Sequence, residues 1–248
     1  MSVKGDRRTE ARSGRWDGTL LGIVGGMGTL ASAQFVRTLY EQNPCAIEQD
    51  APHCILHSDP AFPDRSEAIL ADEDPGISTR LSHHLRHLQD AGATKSVLCC
   101  VTLHHFLPRV PKTLRESVIS LVDLMVDAIA RSGEPHLVIC TKGTRRSRIL
   151  QRHPRWSEIE PLVRMPTEGE QEAVHEMLYR VKAKAVDGSD LLLLDELRRR
   201  HDVRALLGAC TEVHLLHTAL RERPGQAPYR IEDPLFRLAM GLEEFLNG

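Results

Sequence analysis

The chain has 248 residues, room for one large domain or two of ordinary size, with 41% hydrophobic and 27% charged residues and a net charge of −2. This near-neutral balance supplies no phosphate-binding footprint for nucleic acid, and the 4% aromatic content leaves no base-stacking surface. No apolar run approaches the roughly 20 residues that span a bilayer, so neither a nucleic-acid nor a membrane partner is expected. Met1 to Gly18 is polar, carries four arginines and has no apolar segment, and it reads as a disordered lead. Asp6, Glu10 and Asp17 argue against an amphipathic transit peptide. Six cysteines (Cys45, Cys54, Cys99, Cys100, Cys140, Cys210) without a secretion signal imply a reducing compartment, a cytoplasmic location and free thiols.

Leu20 to Val24 is an aliphatic run that ends in Gly25-Gly26-Met27-Gly28-Thr29, and Leu30 to Tyr40 then shows helical apolar spacing. Strand, glycine turn and helix in that order offer backbone N–H groups to an anion. Gly26 to Ala31 also satisfies the loose dinucleotide pattern G-x-G-x-x-A. The acidic partner expected about 20 residues on is missing, because Glu48 to Asp50 precede the next strand. That strand is Cys54 to His57, followed by the proline-punctuated loop Ser58 to Arg65. Thr79 to Ala91 reads as a helix with Leu81, Leu85 and Leu88 on its buried side.

Thr94 to His105 then presents a short apolar run, Cys99 and Cys100, Thr102, and a histidine pair. It reads as a buried strand delivering a thiol to the C-terminal edge of a parallel sheet, where open α/β folds bind ligands. Pro108 and Pro111 interrupt the helix that follows. Ile119 to Leu124 reads as a strand running into a helix that ends at Ser132.

At Gly133-Glu134-Pro135 the pattern restarts. His136 to Cys140 is a strand, Thr141-Lys142-Gly143-Thr144 a glycine turn, and Arg145 to Arg152 a helix start. Helices follow at Glu168 to Lys184 and Ser189 to His201, the basic run Arg198 to Arg200 suiting a solvated helix end. Val203 to Glu212 repeats the cysteine strand, with Cys210 followed by Thr211. Pro224 to Pro228 is a loop, Ile231 to Pro234 closes a short strand, and Leu235 to Leu246 is a final helix that returns to the first half. Thr29 and Thr144 lie 115 residues apart and Cys100 and Cys210 110 apart. Two similar half-molecules facing one another across a cleft follow from that coarse repeat.

Six ordered motifs carry a resemblance to the aspartate/glutamate racemase superfamily, in its aspartate-racemase-like branch. They are Gly25-Gly26-Met27-Gly28-Thr29, Pro63-Asp64-Arg65-Ser66, Cys100-Val101-Thr102-Leu103-His104, Lys142-Gly143-Thr144, Pro166-Thr167-Glu168-Gly169-Glu170-Gln171 and Ala209-Cys210-Thr211-Glu212. Together they cover nearly all of Leu20 to Leu246. The resemblance implies an α/β fold of two flavodoxin-like αβα lobes with parallel sheets, related by a pseudo-twofold, with the site between them and commonly a homodimer. The expected division is 19–117 with 226–248 for the first lobe and 118–225 for the second.

The same resemblance implies cofactor-independent racemisation of aspartate, glutamate or a related acidic amino acid. Cys100 and Cys210 are then an acid/base pair, one on each face of the substrate α-carbon. An amino-acid α-proton is a weak acid, so charge developing on the carboxylate needs preorganised donors. One face must lose a proton while the other gains one, and a thiolate at a helix N-terminus is a usable base. Thr102 and Thr211 would hold the α-carboxylate, although both also suit helix N-capping. Arg65 resembles the family arginine that grips a side-chain carboxylate. Met27, Gly28, Thr29, Val101, Gly143, Thr144 and Glu212 complete the expected lining, with His104 orienting a neighbour. His105 reads as a helix face, and Cys45, Cys54, Cys99 and Cys140 as structural. The contiguous Cys-Cys-x-x-x-His-His lacks the separated ligand pairs of a zinc site, so no metal is expected.

Three positions depart from the family pattern. Val101 stands for asparagine, Thr29 for proline and Ala209 for glycine. A basic residue in the long helix would also recognise substrate, but Lys182 and Lys184 both sit out of register. A lost polar donor can cost catalysis about 2.7–4 kcal/mol, so Val101 opens alternatives. These are a same-fold isomerase, decarboxylase or racemase of another carboxylate, a non-catalytic ligand-binding paralogue, and a dinucleotide enzyme resting on the glycine pattern alone.

Overall fold

The computed structural model describes residues 16, 18–223 and 229–247. The remainder of the expected lead and the expected loop Pro224 to Pro228 lie outside them. Trp16 does not behave as part of a polar lead: it is 3% exposed and joins the central apolar layer with Leu21, Phe35 and Leu39.

Strands β1 (Leu21–Gly25), β2 (Cys54–Ser58), β3 (Lys95–Leu98) and β4 (Val118–Ile119) form one parallel sheet in the order β2-β1-β3-β4. Strands β5 (His136–Ile139), β6 (Val163–Arg164), β7 (Ala205–Gly208) and β8 (Arg230–Glu232) form a second, ordered β6-β5-β7-β8. Among the described residues the second sheet therefore repeats the first with every strand shifted by four places. This is the order of flavodoxin-like sheets, whose crevice lies beyond the carboxyl ends of the two central strands. Those strands are buried on both faces, which is why β1, β5 and β7 read as unbroken apolar runs rather than alternating ones. Register pairs Leu21 with both Cys54 and Lys95, and Leu206 with both Leu137 and Ile231.

Helices α1 (Thr29–Gln42), α2 (Arg65–Leu70), α3 (Ile77–Asp90), α4 (Lys112–Arg115) and α5 (Leu121–Ser132) follow the first-sheet strands. Helices α6 (Lys142–Ser147), α7 (Trp156–Ile159), α8 (Glu168–Ala183), α9 (Gly188–Arg200) and α10 (Val213–Arg221) follow the second-sheet strands, and α11 (Pro234–Met240) and α12 (Leu242–Asn247) close the chain. Three apolar clusters fill the spaces. One lies between β1/β3 and α3, one beneath α8, α9 and α10, and the third joins the two lobes through Leu21, Val97, Val138, Leu207 and Leu235.

Local differences from the sequence expectations have physical causes. The extended segment at Ile119 is only two residues long, because Ser120 accepts the Asp123 N–H and starts α5 at once. The helix expected from Arg145 to Arg152 begins at Lys142, capped by Thr141, and stops at Ser147 where Arg148 takes φ 53°. The single closing helix is two, separated at Gly241. The lobe boundaries also move. β4 pairs with β3 and β8 with β7, so residues 118–119 belong to the first sheet and 230–232 to the second. Only α11 and α12 return to the first lobe, where Asn43 Nδ2 donates to the carbonyls of Leu39 (2.9 Å) and Ala239 (2.8 Å).

Candidate active site

Each sheet ends in turns that meet the turns of the other. Gly28, the N-cap of α1, lies against the β7–α10 turn, where a Cβ would stand 2.7 Å from Glu212 Oε1. Thr211 Oγ1 donates to the Cys99 carbonyl across the seam, 3.1 Å. Thr102 and Thr144 hydroxyls meet at 2.8 Å, Thr144 and Thr141 at 3.1 Å, and Ser66 donates to Thr141 at 3.1 Å. Gly143 packs on the backbone of Ser66 so tightly that any side chain would collide with it. This hydroxyl chain sews the N-terminus of α2 to that of α6.

Cys100 and Cys210 occupy matching places in this seam, one after β3 and one after β7, each 5% exposed. Their surroundings differ in charge. Arg65, 7% exposed, turns its guanidinium toward Cys100 and donates to the carbonyls of Pro63 (3.0 Å) and Met27 (3.3 Å). Burial weighs against that guanidinium, but the charges of Cys100 and Asp64 outweigh it and hold its pKa above the ordinary arginine value. Cys210 instead donates its S–H to Glu212 Oε2 at 2.7 Å. Burial first, and then the Glu212 carboxylate, push the Cys210 thiol well up, with Lys182 opposing and the Cys100 sulfur adding to the rise. The two sulfurs are thus close enough to sense one another. One faces a cation and the other an anion.

Two buried polar atoms here have no hydrogen-bond partner among the described residues, the donor Arg65 Nε and the acceptor Glu212 Oε1. Leaving such a group unsatisfied costs about 1–3 kcal/mol, so the seam is suited to a ligand that carries both an anionic and a cationic group.

The other expected residues fall in different places. Met27 is 4% exposed beside Arg65, whereas Thr29 is exposed on the first turn of α1. Val101 is 1% exposed and belongs to the apolar layer between the lobes, and Ala209 packs in that same layer. His104 Nε2 accepts the Leu121 N–H (3.2 Å), so its proton sits on Nδ1, aimed at the carbonyls of Cys100 (3.3 Å) and Val101 (3.2 Å). Burial pushes this histidine down to about 4. It is a neutral brace tying the Cys100 turn to the start of α5. Cys99 and Cys140 are buried in the core, burial raising the Cys140 thiol to about 12, while Cys45 is exposed and Cys54 half-buried. Among the described residues no group of three or more His, Cys, Asp and Glu side chains is placed to hold a metal ion. A pyrophosphate at the α1 N-terminus would meet the Glu212 carboxylate, which counts against the dinucleotide reading.

Helix α8 adds Lys182, which sequence reasoning set aside, and Tyr179, which it did not single out. Lys182 is not out of register: its stem lies beside Gly28, its charge reaches Cys210, and its ammonium sits 4.0 Å from the Tyr179 ring centroid. Lys184 is exposed. The Tyr179 hydroxyl donates to both carboxylate oxygens of Asp64, at 2.9 and 2.8 Å, bridging α8 to the start of α2. Burial weighs against the Asp64 carboxylate, but the Glu67 N–H, Tyr179 and the nearby cations hold its pKa below the ordinary value. His175, Tyr179 and Lys182 form a polar stripe at i, i+4, i+7, flanking the buried face of Val174, Leu178 and Val181. That stripe was the available signal.

A family model described as Asp/Glu/Hydantoin racemase matches residues 24–187. The fold is shared with a Picrophilus torridus aspartate racemase at TM-score 0.72 and 20% identity, covering 93% of this chain and 100% of that one. A putative Asp/Glu racemase from Yersinia pestis matches at TM-score 0.69 and 18% identity, with 93% and 100% coverage. A Francisella tularensis glutamate racemase in complex with D-glutamate matches at 0.62 and 16%, with 93% and 82% coverage.

Proposed function

The chain belongs to the Asp/Glu/Hydantoin racemase family, and from that premise we propose that it racemises an acidic amino acid by two-base proton transfer between Cys100 and Cys210. The carrying observation is the pair of buried thiols, placed alike in the two lobes, with Arg65 facing one and Glu212 facing the other. In the forward direction Cys210 is the acid, its thiol kept protonated by burial and the Glu212 carboxylate, and Cys100, on the side of Arg65, is the base. The Cys100 thiolate takes the α-proton and becomes a thiol. The electron pair left on carbon delocalises into the α-carboxylate, and Cys210 delivers its proton to the opposite face and becomes a thiolate. The reverse reaction starts from that second state.

The lining supports an acidic substrate. Threonine hydroxyls at 102, 144 and 211 suit the α-carboxylate whose charge grows as the proton leaves. Arg65 and Lys182 supply cations for a second carboxylate, and Glu212 Oε1 is an acceptor for the ammonium. The Francisella tularensis structural relative is a glutamate racemase in complex with D-glutamate, which fits this reading.

The test is α-proton exchange by NMR in D2O with L- and D-aspartate and L- and D-glutamate. Exchange with inversion is expected for at least one pair, and Cys100→Ser and Cys210→Ser are each expected to abolish inversion. Full inversion in either variant would sink the two-base scheme. A second reading rests on Val101, an apolar side chain where the family pattern has an amide: a same-cleft reaction on a carboxylate lacking the amino group. No exchange with any of the four amino acids would favour it.

A further inference from the structure

The first turn of α10 follows directly from Cys210-Thr211-Glu212, and it is held by a buried polar chain that proton transfer does not use. His214 is 1% exposed, and its backbone N–H donates to the Thr211 carbonyl at 3.0 Å. Its ring spans two elements, with Nδ1 2.6 Å from Asp233 Oδ2 and Nε2 3.0 Å from Thr38 Oγ1. Asp233 is fixed in turn, because Oδ1 accepts the N–H groups of Leu235 (3.0 Å) and Phe236 (3.2 Å) and Oδ2 also faces His217 Nδ1 at 3.1 Å. A carboxylate only accepts, so Nδ1 of His214 carries a proton. The chain thus runs from α1 of the first lobe, through α10, to the β8–α11 corner.

An apolar residue would fill this space without the desolvation penalty of three buried polar groups. What the polar chain provides is direction. We propose that His214 is a positioning residue for the Cys210–Glu212 pair: held between Thr38 and Asp233, it sets the rotation of the first turn of α10 and keeps the Glu212 carboxylate within reach of the Cys210 sulfur. The kinetic consequence rests on the racemase reading, whereas the structural one does not.

The test labels the full-length protein with iodoacetamide and follows the Cys210 and Cys100 peptides by mass spectrometry in one sample. In His214→Ala the Cys210:Cys100 rate ratio rises about fivefold, equivalent to the ~1 kcal/mol of one lost hydrogen bond. Cys100 keeps its own rate. Thr38→Val shows the same change at smaller amplitude. His214→Asn, whose amide nitrogen takes the place of Nδ1, restores the ratio. An unchanged ratio, or both cysteines rising together as in general loosening, overturns the proposal. In the racemase assay His214→Ala loses kcat about tenfold with KM held within about twofold. A shifted ratio in a protein that inverts no acidic amino acid would sink the racemase reading and leave the positioning role standing.

Discussion

Lys182 shows what a single side chain adds to the cleft. Its stem packs on Gly28 and its charge lies beside Cys210, so Lys182→Met keeps the packing and removes the cation. A lost charged hydrogen bond is worth about 1.5–3 kcal/mol, so kcat/KM for an acidic substrate should fall roughly ten- to a hundredfold in steady-state assays. An unaltered value would remove Lys182 from carboxylate recognition. His104 makes a different kind of prediction. Its folded pKa of about 4 lies below the ordinary 6.5, so the unfolded chain takes up a proton first as pH falls. The stabilisation is complete above about 6.5 and is lost on the way down to about 4, on the order of 3 kcal/mol from this one group. Burial also lowers His84, His105, His136 and His175, which act with the same sign. Urea midpoints measured between those two pH values should fall steadily, and His104→Gln should flatten the slope while lowering stability at neutral pH.

At the scale of elements, the long apolar strands and α3, α8 and α9 were legible because period and burial agree over many residues. Thr167 and Glu170, for instance, form a capping box that fixes the start of α8. The short elements were not legible. The two-residue β4 carries too little pattern, and the early end of α6 depends on a left-handed arginine that no propensity announces. The cysteines and Arg65 were readable from motif resemblance, whereas Lys182 and Tyr179 needed the rotation of α8, which is set by packing. The contact of α2 with α6 offers a direct test of how tightly the seam is closed. Gly143→Ala places a methyl group on the backbone of Ser66, an overpacking that costs about 1–3 kcal/mol and forces the helices apart. A drop of several degrees in Tm with loss of inversion is expected, and a fully active, equally stable variant would show that the seam yields without consequence.

On the scale of the molecule, the repeated strand order explains why two cysteines so distant in sequence end in one place. Each lobe brings its central strands to a crevice, and the crevices face one another. The repeat was visible in the sequence, but the lobe boundaries were not, because the short edge strands β4 and β8 carry too little pattern to show which sheet they join. Cys100, Cys210, Thr102, Thr144, Thr211 and Glu212 are all buried, so under the proposed function a substrate would reach them only through an opening of the seam. The Tyr179–Asp64 bridge ties α8 to the start of α2 across that seam. Tyr179→Phe removes both of its hydrogen bonds and should raise the iodoacetamide reactivity of Cys100 roughly tenfold; an unchanged rate would place the opening elsewhere.

The closed seam also has an isotopic consequence. Under the proposed two-base scheme, a hydrogen taken onto a sulfur this deeply buried would trade with the solvent only when the seam opens, so each turnover would carry a memory of the previous one. The share of original hydrogen that returns to carbon before any exchange is then a clock. It compares the time the protein stays shut with the time the proton needs to move.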